Sequence, residues 1–277
     1  MDTALMRWLL VGQDILLFIL PAVIIAWIAA KRLYGDTSWS RAFRWLRMGT
    51  VGTSNRASVF LLATILMLVA QPGINLIASL NEMIKLPEFL SGMEAWMQRM
   101  EAANAATTEQ LMATKTIGGF LANIMVIGLL AAFSEELLFR GALQGLFMLP
   151  AQLKGPARGD TPAGASARAT TAAIWTAAIL FSALHLQFYG FIPRMLMGAL
   201  FGYMLVWSGS LWIPILMHAV NNSMVVIAYA VLPKDKIISS TLETFGTADT
   251  WYVGVISLAL VAGLIYQIRK ILLSSQV

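Results

Sequence analysis

Residues 117–148 read IGGFLANIMVIGLLAAFSEELLFRGALQGLFM. The run exceeds the roughly 20 apolar residues that cross a bilayer as a helix, so it reads as one tilted helix or as two pieces. Its charges are Glu135, Glu136 and Arg140. They sit amid apolar chain, where ionisable groups are strongly disfavoured and point to function. Further apolar runs lie outward from it, at about 12–30, 57–79, 170–188, 191–208, 211–232 and 251–268. Together these runs predict an all-α polytopic membrane bundle of about seven transmembrane helices. A single membrane-embedded domain is expected over 1–277, with a motif-bearing catalytic core at 117–232.

Composition agrees. Of 277 residues, 58% are hydrophobic and 12% charged, against a usual charged share of about 25%. Mean hydropathy is +0.74. These values exclude a disordered chain, a soluble nucleic-acid binder and an ordinary cytosolic enzyme. The net charge of +5 belongs to loops, because excess Lys and Arg in membrane proteins gather on the cytoplasmic side. Segment 31–56 carries Lys31, Arg32, Arg41, Arg44, Arg47 and Arg56; segment 149–169 carries Lys154, Arg158 and Arg168; the tail adds Arg269 and Lys270. The opposite side, with Arg7, Lys85, Arg99, Lys115, Lys234 and Lys236, is poorer. The expectation is an integral protein of a bacterial inner membrane, N-terminus out and C-terminus in, with no nucleic-acid partner. The first run is too long for a signal-peptide core and has one basic residue before it, Arg7, so a retained span is expected. There is no cysteine, hence no disulfide, thiolate metal site or Cys nucleophile.

Segment 80–116 combines Glu82, Glu88, Glu94, Glu101 and Glu109 with apolar Leu86, Phe89, Leu90, Met93, Trp96 and Met97 at helical spacing. It reads as an extracytoplasmic amphipathic helix on the membrane surface, an ordered cap without membrane contact being the alternative. Segment 150–169, rich in Pro, Gly and Ala, reads as a flexible cytoplasmic loop. Gly141/Gly145 and Gly198/Gly202 let helices approach closely.

The chemistry lies in three patterns. Glu135-Glu136-x-x-x-Arg140 falls in the third run, Phe181-x-x-x-His185 in the fourth and His218-x-x-x-Asn222 in the sixth. Residues four apart share a helix face. Glu136 and Arg140 therefore suit an ion pair, while Glu135 lies about 100° round and is available to act elsewhere. Phe181 shares the face of His185, and His218 shares that of Asn222. A carboxylate shielded from water becomes a stronger base; with neither Cys nor an activated Ser present, its target is water. One imidazole would hold that water, and a second with an amide would stabilise an oxyanion. The bond cut would be an amide of a membrane-associated peptide or protein. The same groups would otherwise be a helix-stapling ion pair and hydrogen-bonded structural residues. Ser134, Asn221 and Asp14, at the edge of the first run, are read as structural.

In order and helix placement the patterns resemble the motifs of the CPBP intramembrane proteases, which include the type II CAAX prenyl endopeptidases and abortive-infection or bacteriocin-immunity-like proteins. The resemblance implies a helical membrane bundle with a cavity open to lipid. It implies that Glu135 activates water, His185 assists, and His218 with Asn222 forms the oxyanion site, Glu136 and Arg140 supporting them. Eukaryotic members remove three residues after a prenylated Cys; only peptide hydrolysis is carried over. No cofactor is expected, although Glu135, His185 and His218 would suit a Glu/His/His zinc site with an open water position. Two alternatives stand beside the peptidase: a non-proteolytic interaction or bacteriocin-immunity-like protein, and a proton-coupled transporter. No repeated halves support the transporter. Counting along the runs places Glu135 and His218 nearer the cytoplasmic end and His185 further out. Tilt or a break near 130–135 would reconcile them.

Overall fold

A computed structural model describes residues 2–35, 38–53, 55–114, 116–154, 167–231 and 245–274. Among them the chain is an all-α polytopic membrane bundle without strands. Its helices are α1 Thr3–Tyr34, α2 Trp39–Trp45, α3 Arg56–Glu82, α4 Ser91–Met112, α5 Ile117–Pro150 (continuing to Lys154), α6 Ala167–Leu184, α7 Phe191–Ser208, α8 Trp212–Val231 and α9 Trp251–Ser274. All but α2 and α4 are long and apolar enough to cross a membrane. Large apolar side chains such as Trp8, Leu16, Leu17, Leu61 and Ile256 are exposed, as the flanks of a bundle solvated by lipid should be.

Two large apolar cores, and a small one between α6 and α7 around Ile174, Ala178 and Ala199, hold the described helices together. One joins α1, α2 and α5 through Ala26, Ala30, Trp45, Leu46, Phe139 and Ala142. The other joins α3, α7, α8 and α9 through Leu66, Met67, Phe201, Met204, Met217 and Ile268. Small residues set the spacing. A Cβ on Gly145 would meet the Trp45 ring at 2.9 Å. One on Gly198 would meet Arg140 Nη2 at 2.9 Å, so that glycine makes room for a guanidinium. Gly198→Val is therefore expected to destabilise the bundle by about 1–3 kcal/mol through overpacking, read as a lower melting temperature in detergent. Pro72 lies inside α3, and Ser257 of α9 fits beside it. The Ser257 hydroxyl donates to the Val69 carbonyl at 2.6 Å and accepts the Gly73 N–H at 3.1 Å, so the groups beside the proline stay satisfied in a dry setting.

Several boundaries differ from the expectation. Helix α1 starts at Thr3, so Asp14 lies inside it rather than at its edge. Arg7 is likewise helical, its Nε donating to Asn123 Oδ1 at 2.8 Å, a pairing that lets a cation enter the bundle. Segment 80–116 contains the end of α3 and then α4. Helix α5 reaches Lys154 and α6 starts at Ala167, so both ends of 150–169 are helical; 155–166 lie outside the described residues. Arg269 and Lys270 belong to α9 rather than to a tail, and Arg269 lies over the Trp207 ring at 5.4 Å. Helix α6 ends at Leu184 instead of 188, because Leu186 takes a φ of +54°, which no helix continues. His185 is therefore the first residue of a turn.

Helix α5 is continuous, not two pieces. Its irregularities are π-helical segments at Ile124–Leu130 and Leu137–Leu143, flanking a regular stretch at Ala131–Glu136. Such segments shift the phase of a helix and often mark functional positions. Helix α5, with 34 residues in its apolar span, is about 51 Å long, while the 18-residue α6 is about 27 Å. The middle of the long helix thus meets the end of the short one, and Glu135 meets His185.

Candidate active site

Glu135 and Glu136 lie between the two π segments of α5, and Arg140 lies in the second. Arg140 Nη1 and Glu136 Oε1 are 2.8 Å apart, and both side chains are buried. The guanidinium also lies over the Phe181 ring at 4.2 Å and the Phe201 ring at 5.4 Å. Aromatic faces attract a cation most when water is excluded, so the ring cage helps keep this charge inside the bundle.

The same Glu136 oxygen meets His218 Nδ1 at 2.8 Å. The carboxylate accepts, so Nδ1 carries the hydrogen and Nε2 is turned away. His218 Nε2 lies 3.9 Å from Glu135 Oε2. His185 is held in a parallel way. Its Nδ1 donates to the Phe181 carbonyl at 2.8 Å, an acceptor-only group left free at the end of α6. Its Nε2 lies 3.7 Å from Glu135 Oε2. Two imidazoles from α8 and the α6–α7 turn thus aim the same ring nitrogen at one carboxylate oxygen. Glu135 Oε2 is itself buried without a protein hydrogen bond among the described residues. Both separations exceed hydrogen-bond length and suit an intervening small molecule. The Phe181 ring closes the arrangement, edge-on to His185 at 4.8 Å and to His218 at 5.8 Å. Side-chain exposure rises from 6% at His218 and 15% at Glu135 to 30% at His185, so the cluster is most open at His185.

Asn222, expected beside His218, is engaged elsewhere with one N–H. Its Nδ2 donates to the Ile127 carbonyl at 3.2 Å, in the first π segment of α5. Its Oδ1 accepts from Asn221 Nδ2 at 3.4 Å. Ser134 Oγ donates to the buried Asp14 Oδ1 at 2.9 Å, tying α1 to the residue before Glu135. Glu135, His185 and His218 were the candidate zinc ligands. As placed, no group of three His, Asp or Glu side chains among the described residues is spaced to hold a metal ion.

The turn that carries His185 is pinned by residues that the motifs did not single out. Asn81, at the end of α3, donates to the Phe188 and Tyr189 carbonyls at 2.9 and 2.8 Å and accepts the Ile192 N–H at 3.1 Å. Asn104 of α4 donates to the His185 carbonyl at 3.3 Å. Arg194 holds Gln187 Oε1 at 2.6 Å. Burial pushes the Glu101 carboxyl of α4 above its ordinary range, while the Phe188 and Tyr189 backbone and Arg194 pull it down. Uncharged amides in or beside spans are the signal that would have found Asn81 and Asn104. Asn81→Leu takes the amide partner from the Tyr189 carbonyl and the Ile192 N–H and leaves the Phe188 carbonyl with the Phe191 N–H alone. It is expected to destabilise the chain by about 1–3 kcal/mol and to speed hydrogen exchange in 185–192 selectively.

The fold and site define a membrane-embedded helical protein with a buried glutamate faced by two oriented imidazoles. Residues 117–224 match the family model of Type II CAAX prenyl endopeptidase Rce1-like. All three motif patterns lie inside that stretch, and the resemblance read from them is borne out. The match supports, at family level, a CAAX-type protease and an integral membrane protein. The chain is also 30% identical over 105 residues to the uncharacterized protein YpbD of Bacillus subtilis (strain 168), covering 36% of this chain and 42% of that one. It thus spans about two fifths of that curated relative's length. No solved structure matches the chain.

Proposed function

We propose that this chain is an intramembrane endopeptidase that hydrolyses a peptide bond in a membrane-associated protein or peptide with a glutamate-activated water. The observation that carries the reading is the convergence of His185 Nε2 and His218 Nε2 on the buried Glu135 Oε2 at 3.7 and 3.9 Å. A water seated among the three atoms donates one hydrogen to Glu135 and the other to His185 Nε2. Glu135 takes its proton as the water oxygen attacks the substrate carbonyl carbon. The carbonyl oxygen becomes an oxyanion, met by the second N–H of Asn222 and by His218 Nε2 when that ring is protonated. Glu135 then returns its proton to the amide nitrogen, the C–N bond breaks, and a carboxyl and an amine are released. Glu136 keeps the His218 ring in place and Arg140 balances Glu136, so both support the site without touching the substrate.

In this reading substrate reaches the site from the His185 side. We assign 31–56, 149–169 and the C-terminus to the cytoplasm of a bacterial inner membrane, and α4 to the outer face, from the basic excess of the former segments. No cofactor is needed. Treatment with a strong zinc chelator is accordingly expected to leave the cleavage rate within about twofold; loss of activity restored by zinc would replace the water mechanism with a metal one.

The test compares membrane-protein termini in cells carrying the native chain or its Glu135→Gln variant at equal expression. Termini found solely with the native chain, and lost again with His185→Ala, identify substrates and cleavage sites. Identical sets of termini would overturn the peptidase and leave a membrane interaction protein whose polar groups staple its helices.

A further inference from the structure

Three side-chain amides run in one line across α3, α8 and α5. Gln71 Nε2 donates to the Met67 carbonyl at 3.4 Å and to Asn221 Oδ1 at 3.1 Å. Asn221 Nδ2 donates to Asn222 Oδ1 at 3.4 Å. Asn222 Nδ2 donates to the Ile127 carbonyl at 3.2 Å. The two ends of a primary amide have nearly the same shape, so the surrounding hydrogen bonds decide which way each one points. Here both ends of the line are backbone carbonyls, which accept and never donate. Met67 must be met by the NH2 of Gln71, and Ile127 by the NH2 of Asn222. The two demands agree along the line when every amide passes its NH2 in the same direction. Away from water a reversed member would set oxygen against oxygen, which is heavily disfavoured.

We propose that Gln71 and Asn221 are positioning residues that lock the Asn222 amide with its NH2, not its carbonyl, available on the face it shares with His218. The proposal rests on the peptidase reading above and adds to it. Asn222 then keeps one N–H on Ile127 and holds the other for the developing oxyanion. Without a donor from Asn221, its oxygen is unsatisfied and the amide is free to rotate. Gln71 lies outside the matched stretch 117–224, so this support comes from α3, an element of this chain beyond the shared motifs. The π segment takes part as well: Ile127, whose carbonyl accepts from Asn222, belongs to Ile124–Leu130.

The experiment uses the full chain in detergent. Its probe is a quenched peptide spanning a bond that cells cut with the native chain and not with Glu135→Gln. Four proteins form a double-mutant cycle: native, Gln71→Met, Asn222→Ala and the double variant. Asn222→Ala is expected to lower kcat about 10²–10³-fold. Gln71→Met, which keeps length and volume, is expected to lower kcat about tenfold or more with KM within about twofold. In the Asn222→Ala background Gln71→Met is expected to change nothing, since no amide remains to be positioned. Asn221→Leu should repeat the pattern; if it fails to accumulate, the Gln71 cycle decides alone. An unchanged kcat for Gln71→Met overturns the proposal, as does an equal loss in both backgrounds, which would be the mark of general packing. Cleavage of the peptide by Glu135→Gln would instead sink the peptidase reading, and this inference with it.

Discussion

Glu135→Gln is expected to cut the same peptide about 10²–10⁴-fold more slowly than the native chain, with KM little changed. Glutamine keeps the size of the side chain and an oxygen facing His185 and His218, but it cannot take a proton from water. A positioned general base is worth about that factor, and loss in kcat alone is the signature of a group acting in the transition state. Stability should not fall. Glu135 Oε2 is buried without a protein hydrogen bond among the described residues, and a buried charge without a partner costs stability, so neutralising it relieves the folded state. A catalytic group held at the expense of stability is a familiar trade. Turnover and melting temperature measured on one preparation check both halves. A variant that retains native turnover, or that loses turnover only because it melts, would remove Glu135 from the role of base.

Glu136→Ala is expected to have the opposite profile, destabilising the chain by about 3–5 kcal/mol. Its carboxylate is the ion-pair partner of Arg140 and the acceptor for His218 Nδ1, at 2.8 Å each. Removing it strands a cation that is 1% exposed and frees the imidazole to turn. Breaking one half of a buried pair costs far more than replacing both halves with apolar groups. The double variant Glu136→Leu with Arg140→Met should therefore recover much of the lost accumulation and melting temperature. It should not recover cleavage, because His218 still lacks its orienting acceptor. If the double variant cleaves at the native rate, Glu136 serves packing alone.

The spans were legible because bilayer thickness imposes a length and an apolar content that local chain cannot hide. The three motif patterns were legible because charge inside such spans is rare, so Glu135, Glu136, Arg140, His185 and His218 stood out. Helical spacing also gave the pairing of Glu136 with Arg140 and the nearness of Phe181 to His185. The π segments left no such trace. Each adds its shift through hydrogen-bond register, and the apolar residues of 124–130 and 137–143 look like those of any buried helix. With α6 drawn out to 188, counting along the spans sets Glu135 and His185 at different depths. Gln71, Asn81 and Asn104 escaped for another reason. An amide carries no charge, and its worth depends on which distant carbonyl it meets, which spacing along one helix cannot tell. The engagement of Asn222 with Ile127 was hidden in the same way.

Asn81 and Asn104 bear on any attempt to transplant this chemistry. A graft of 117–224 alone would carry Glu135, His185, His218 and Asn222 into a new host, and with them every group to which the proposed mechanism gives a role. The turn beginning at His185 would arrive without the two amides that fasten it from α3 and α4, and one imidazole would swing where it now points. The portable unit is larger than the recognisable one. It includes the far end of α3 and the outer helix α4, and a chimaera that leaves these behind should inherit the reagents without their alignment.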